Sequence, residues 1–106
     1  MMEAGALRNR VSIEAPPTDQ DTSGAPTGPW SLVTMLWAAI EPLQGREYYE
    51  ASQHPSAVDH RIRVRYTAGI APAMRVRLGE RLFDIEAVID VGERREQLHL
   101  MAKERR

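Results

Sequence analysis

His60-Arg61-Ile62-Arg63-Val64-Arg65-Tyr66 places arginine at every second position, with Ile62 and Val64 between. Met74-Arg75-Val76-Arg77-Leu78 repeats the pattern. A period of two sends one set of side chains to each face of a strand. The chain is therefore predicted to be mainly β, with apolar inner faces and arginine-bearing outer faces. A basic sheet face can meet nucleic acid, an acidic partner or water.

The hairpin next to the second stretch sets its own register. Gly79-Glu80 fits a two-residue turn with glycine first. That register pairs Val76 with Phe83 and Met74 with Ile85 inside, and Arg75 with Asp84 outside. Apolar faces apolar and cation faces anion. The strand beginning at Arg81 extends to about Asp90. A charged turn covers 91–95. A last strand runs from Gln97 to Ala102, with Leu98, Leu100 and Ala102 on one face.

Upstream, Leu7 to Ala15 reads as a strand with Leu7, Val11, Ile13 and Ala15 on one side. Pro16 to Pro29 holds four prolines and two glycines among small or polar residues. This composition predicts a long flexible loop. Trp30 to Glu41 reads as a strand apolar on both faces, with Trp30, Leu32, Leu36 and Ile40 opposite Val33, Met35 and Trp37. Such a strand is expected to be buried on both sides, the second layer being supplied by another subunit. Pro42 ends it. Gln44 to Gln53 is the one plausible helix, closed by Pro55. Val58 to Tyr66 places Val58, Ile62, Val64 and Tyr66 inward. The expected fold is a single domain over 1–106: a small antiparallel β-barrel or sandwich of about six strands, with one short α-helix covering an opening.

Composition limits the function. The chain has 106 residues, 42% apolar and 27% charged, with a formal net charge of −1. That balance argues against a general nucleic-acid coat, which carries a basic excess. There is no cysteine, which excludes disulfides, thiolate metal sites and a cysteine nucleophile. No apolar run reaches the roughly 20 residues of a membrane span. The start lacks the layout of a signal peptide, so the expected setting is a cytoplasm or a particle assembled there.

Catalytic and cofactor patterns are missing. His54, His60 and His99 make no metal-ligand spacing, and each is expected to be half-exposed. No phosphate loop with lysine and no nucleophile elbow occurs. Asp84, Glu86 and Asp90 share one strand face by simple alternation, but the hairpin already gives Asp84 an arginine. No catalytic residue, metal or cofactor is expected. The arginines remain: Asp59 to Arg81 carries a local excess of four positive charges. They face a phosphate backbone, acidic residues of a neighbouring subunit (Glu41, Glu47, Glu50 or Glu86), or solvent. Trp30, Trp37, Tyr66 and Phe83 fall mostly at inward positions, which disfavours a stacking platform for single strands.

The order of features resembles the phage head–tail joining proteins, of the head-closure or "stopper" type of head–tail adaptor. The match begins with Gly5-x-Leu7-Arg8-x-Arg10-Val11-x-Ile13, the Gly/Pro loop and Trp30-x-x-Val33. It continues with Trp37-Ala38-x-Ile40-x-Pro42-Leu43-x-Gly45-x-Glu47 and Ile62-Arg63-Val64-Arg65-Tyr66. Gly69-Ile70-x-x-x-Met74-Arg75-Val76, Gly79-x-Arg81-x-Phe83-x-Ile85 and Leu98-x-Leu100 complete it. The family's usual threonine in the tryptophan strand is Thr34 here, shifted toward the strand's start.

The resemblance implies a non-enzymatic structural protein at the head–tail interface of a virion, assembled in a bacterial host cytoplasm. It implies a hexameric or dodecameric ring between a portal or adaptor protein and a tail or tail-completion protein. Packaged double-stranded DNA would pass through the ring, and no membrane is involved. The family's early loop reaches toward the channel, which marks Thr18, Asp19, Asp21, Ser23, Gly24 and Gly28. Trp37, Glu47, Glu50, Arg61, Arg63, Arg65 and Arg77 are the candidates for subunit-facing or DNA-facing positions. The other reading is a small β-barrel nucleic-acid-binding module.

Overall fold

A computed structural model describes residues 7–46 and 58–105. Among these residues eight strands form: β1 (Asn9–Ala15), β2 (Asp19–Gln20), β3 (Pro26–Thr27), β4 (Ser31–Pro42), β5 (His60–Arg65), β6 (Arg75–Leu78), β7 (Arg81–Asp90) and β8 (Gln97–Glu104). Six of them close an antiparallel barrel in the order β1-β4-β5-β8-β7-β6, with β6 returning to β1. Closure removes the open sheet edges that otherwise invite aggregation. Among the described residues the one regular helical element outside the 44–53 region is a 3-10 turn, Val91–Glu93. The helix expected over Gln44 to Gln53 lies, from Glu47 onward, outside the described residues.

The alternating sequence builds the core. Val11, Ile13, Ile62, Val64, Val76, Phe83, Leu100 and Ala102 are all at most 1% exposed. Ile85 and Leu98 join them, and Leu36, Ile40, Met74 and Val88 pack against this cluster. The predicted hairpin register is the observed one, Val76 opposite Phe83 and Arg75 opposite Asp84. The turn residue Gly79 has φ +59°, a conformation that favours glycine. Beyond the ladder, the Ile85 amide donates to the Met74 carbonyl at 3.0 Å.

Two bulges break the simple alternation. On β4, Ile13 faces Thr34 but Glu14 faces Leu32, so Val33 is the extra residue. On β7, Ile85 faces Ala102 but Ala87 faces Met101, so Glu86 is extra. An inserted residue bends a strand and swaps the faces beyond it. Both bulges fall on the two longest strands, where a closed barrel needs the most curvature.

The bulges explain the departures from the expected faces at Leu32 and Asp90. Leu32 turns outward and is 60% exposed, alongside Met35 at 48% and Trp37 at 50%. The outer face of β4 is thus uncovered in the single chain, not buried on both sides. Asp84 and Asp90 fall on opposite sides of the Glu86 bulge and no longer share a face. Tyr66, expected inward, lies past the end of β5 and is exposed. His60, expected half-exposed, is buried. Pro42 does not end pairing: it faces His60, and the Leu43 amide donates to the Asp59 carbonyl at 2.9 Å.

Candidate functional site

The β5 arginines point outward, but they are not a free stripe. Arg63 lies between Ala39 of β4 and His99 of β8. Its guanidinium reaches the Glu41 carboxylate at 3.2 Å within the same chain. Arg61 lies between Glu41 and Met101. Burial lowers the His99 pKa, and the charges of Arg61 and Arg63 lower it further against an opposing effect of Glu41. Arg65, at the end of β5, is exposed, opposite Gln97 of β8 and one residue beyond the last β4 pairing, Ala38 with Val64.

The second arginine stretch is more deeply engaged. Arg75 is 8% exposed. Its Nε donates to Glu14 Oε1 at 2.6 Å, and Arg77 Nε donates to Glu14 Oε2 at 3.2 Å. The Trp30 ring covers Arg75, with the guanidinium carbon 4.1 Å from the ring centroid. Burial pushes the Glu14 pKa up, but the two arginine hydrogen bonds and charges outweigh it and hold the carboxyl below its ordinary value. Asp84, opposite Arg75 along the backbone, instead accepts from Arg105 at 2.9 Å. Arg77 is therefore a barrel-closing residue as well as a surface candidate.

The 16–29 segment carries more order than its composition suggests. Asp19 pairs with Thr27 and Gln20 with Pro26 in a two-stranded ribbon. Asp21 Oδ1 accepts from the Ser23 amide at 2.9 Å, the Ser23 hydroxyl at 2.8 Å and the Ala25 amide at 3.0 Å. These bonds lower the Asp21 pKa, the Ser23 side chain contributing most. Gly24 and Gly28 take φ +87° and +101°, which only glycine adopts without strain. Thr18, Asp19, Asp21, Ser23, Gly24 and Gly28 are all exposed on this one ribbon. A chelating aspartate followed by Ser and Gly is a turn signal present in the sequence.

Trp37 lies outward on β4, opposite Arg10 of β1. The Arg10 guanidinium carbon is 5.6 Å from its ring centroid. Beside it is an open groove of about 510 Å³ whose walls include Leu7, Met35 and Thr67, and whose charged lining groups are Arg10 and Arg65. Trp37 and Arg65 are thus brought together, whereas Arg61 and Arg63 lie further along the same outer face. Glu47 and Glu50 lie outside the described residues. Among the described residues no group of three acidic, histidine or cysteine side chains could hold a metal ion.

Comparison with known proteins gives one family. The family model described as phage head completion protein matches residues 2–105. No curated protein sequence matches. Among solved structures, the chain is similar to a Shigella flexneri 2a protein determined in solution. Identity is 23%, the match covers 97% of this chain and 96% of that one, and the TM-score is 0.73. It is also similar to a chain of the virion of a native gene transfer agent particle. There identity is 21%, coverage 93% and 96%, and the TM-score 0.64.

Proposed function

Because the chain belongs to the family of phage head completion proteins, we propose that it closes the head as a ring in the neck of a tailed phage or prophage-derived particle. The ring sits between a portal or adaptor protein and the tail, and packaged double-stranded DNA passes through it. It works by shape and charge, without catalysis. The family match over nearly the whole chain carries this reading. The uncovered apolar outer face of β4 supports it, since a lone small domain has little reason to expose Leu32, Met35 and Trp37 together.

In this reading the exposed ribbon of 16–29 is the part that enters the channel. Its turn is held by Asp21, so it presents a defined tip rather than a free chain. The test is deletion of Ser23 to Gly28. Heads assembled with the variant should still bind the ring, seen by electron microscopy, but should lose DNA before the tail attaches. Normal DNA retention in such tail-less heads would remove the ribbon from this role.

One observation favours a second reading, a nucleic-acid-binding module. Trp37 is half-exposed with Arg10 against its ring, as a base-stacking platform requires. Salt-sensitive binding of short single-stranded DNA to the isolated monomer would support it. No binding at low salt would rule it out.

A further inference from the structure

Exposed large apolar side chains occur on two strands that lie three positions apart in a closed ring of six, and so on opposite sides of the barrel. The first is β4, where Leu32, Met35 and Trp37 border the groove whose charged groups are Arg10 and Arg65. The second is β7, where Ile89 is 47% exposed. From Leu82 to Glu93 the chain holds Asp84, Glu86, Asp90 and Glu93 and no lysine or arginine. Asp84 is engaged by Arg105, and Asp90 accepts from the Arg95 amide at 3.1 Å. Glu86, extruded by its bulge, and Glu93 are exposed. One side of the barrel is apolar and cationic; the opposite side is apolar and, from Leu82 to Glu96, carries five acidic residues against Arg94 and Arg95.

We propose that these two surfaces dock on one another between successive copies of this chain. Ile89 of one copy seats in the Trp37 groove of the next, with Glu86 and Glu93 against Arg65 and Arg10. The proposal rests on the reading of the chain as a ring protein and names the surfaces that build the ring. Unlike surfaces on opposite sides of a subunit make a heterologous contact, the kind that closes rings. The alternative, two β4 faces meeting each other, would bring Arg10 and Arg65 against their own copies, and like charges at an interface are costly.

The absence of cysteine allows a direct test. Met35→Cys and Ile89→Cys are made separately and together, with folding checked by circular dichroism. The purified proteins are treated at high concentration with a short thiol crosslinker. A mixture of the two single variants should give a crosslinked dimer, and the double variant a ladder of higher products. Arg65→Glu should cut the yield of mixed dimer about tenfold, the effect of losing roughly 1.4 kcal/mol. Glu86→Arg in the other copy should restore it.

Self-crosslinking of Met35→Cys alone, with no mixed dimer, overturns the proposal. So does the absence of mixed dimer, or protection of the groove by a short oligonucleotide without any effect of a second copy. Rings visible by electron microscopy without the mixed dimer would sink this interface and leave the ring. Mixed dimers that grow only into open filaments would sink the ring and leave this interface.

Discussion

Arg75 donates to Glu14 across 2.6 Å although 61 residues separate them in sequence. The pair joins β6 to β1, the contact that closes the barrel. Trp30 lies over the guanidinium and keeps it from water. Removing the carboxylate would leave a buried cation with its main partner gone. Glu14→Gln should therefore cost about 3 kcal/mol, the lower end for breaking a buried pair. Asp84→Asn breaks a pair whose side chains are 35–44% exposed, and should cost under about 1 kcal/mol. Urea unfolding of both variants measures the difference, and a larger loss at Asp84 would refute the assignment of Glu14 as the partner.

The same pair has a pH consequence. The folded Glu14 pKa lies below its ordinary 4.5. In the window between the two values the unfolded chain binds more protons, so stability rises with pH there. The contribution is fully present above about 4.5 and is lost as pH falls through the folded value. Thermal melts from pH 6 to pH 3 should fall more steeply for the natural chain than for Glu14→Gln, and the two curves should converge at the acid end.

His99 acts in a different window. Its folded pKa is below the ordinary 6.5, first because of burial and then because of Arg61 and Arg63. The neutral ring is the form the fold prefers. Stability is therefore full above about 6.5 and falls as pH drops toward the folded value. His99→Gln should flatten the stability profile below pH 6.5. An unchanged slope there would show that His99 does not carry it.

How much of this was legible in the sequence depends on distance along the chain. The 75–84 hairpin was readable because a two-residue turn with Gly79 fixes the register locally. The Arg75 side-chain partner was not, because barrel closure brings Glu14 from the other end of the chain. Simple alternation puts Leu32 of β4 and Asp90 of β7 on the wrong faces, because each lies beyond a bulge. Neither Val33 nor Glu86 is a glycine or proline, so nothing in the residue type marks the inserted position. The exposure of Trp37 follows from alternation outward of Leu36 and Ala38, but its hydrophobicity argued for burial. A closed barrel has one interior, so a strand apolar on both faces is left with one of them outside.

Asp21 organises the ribbon tip through one carboxylate oxygen. Asp21→Ala should raise amide hydrogen exchange at Ser23 and Ala25 while leaving the melting temperature of the barrel unchanged, because residues 21–25 are all exposed. Loss of protection confined to residues 19–27 is the expected result. Loss that spreads into β1 or β4 would mean that the ribbon supports the barrel.

Phe83 is fully buried, and the His60 ring meets it edge-on at 5.1 Å between centroids. His60 Nδ1 is in turn 2.7 Å from Asp59 Oδ1, and that oxygen accepts the Glu104 amide at 3.0 Å. Phe83 therefore supports both the core and the polar contacts that tie β8 to the start of β5. Phe83→Ala removes a large buried ring and should cost about 3–5 kcal/mol, a large part of the stability of a domain this size. Phe83→Leu keeps most of the volume but loses the ring contact with His60, and should cost less than half as much. Chemical denaturation gives both values. Equal losses would mean that the His60 contact, and not the filled volume, dominates at this position.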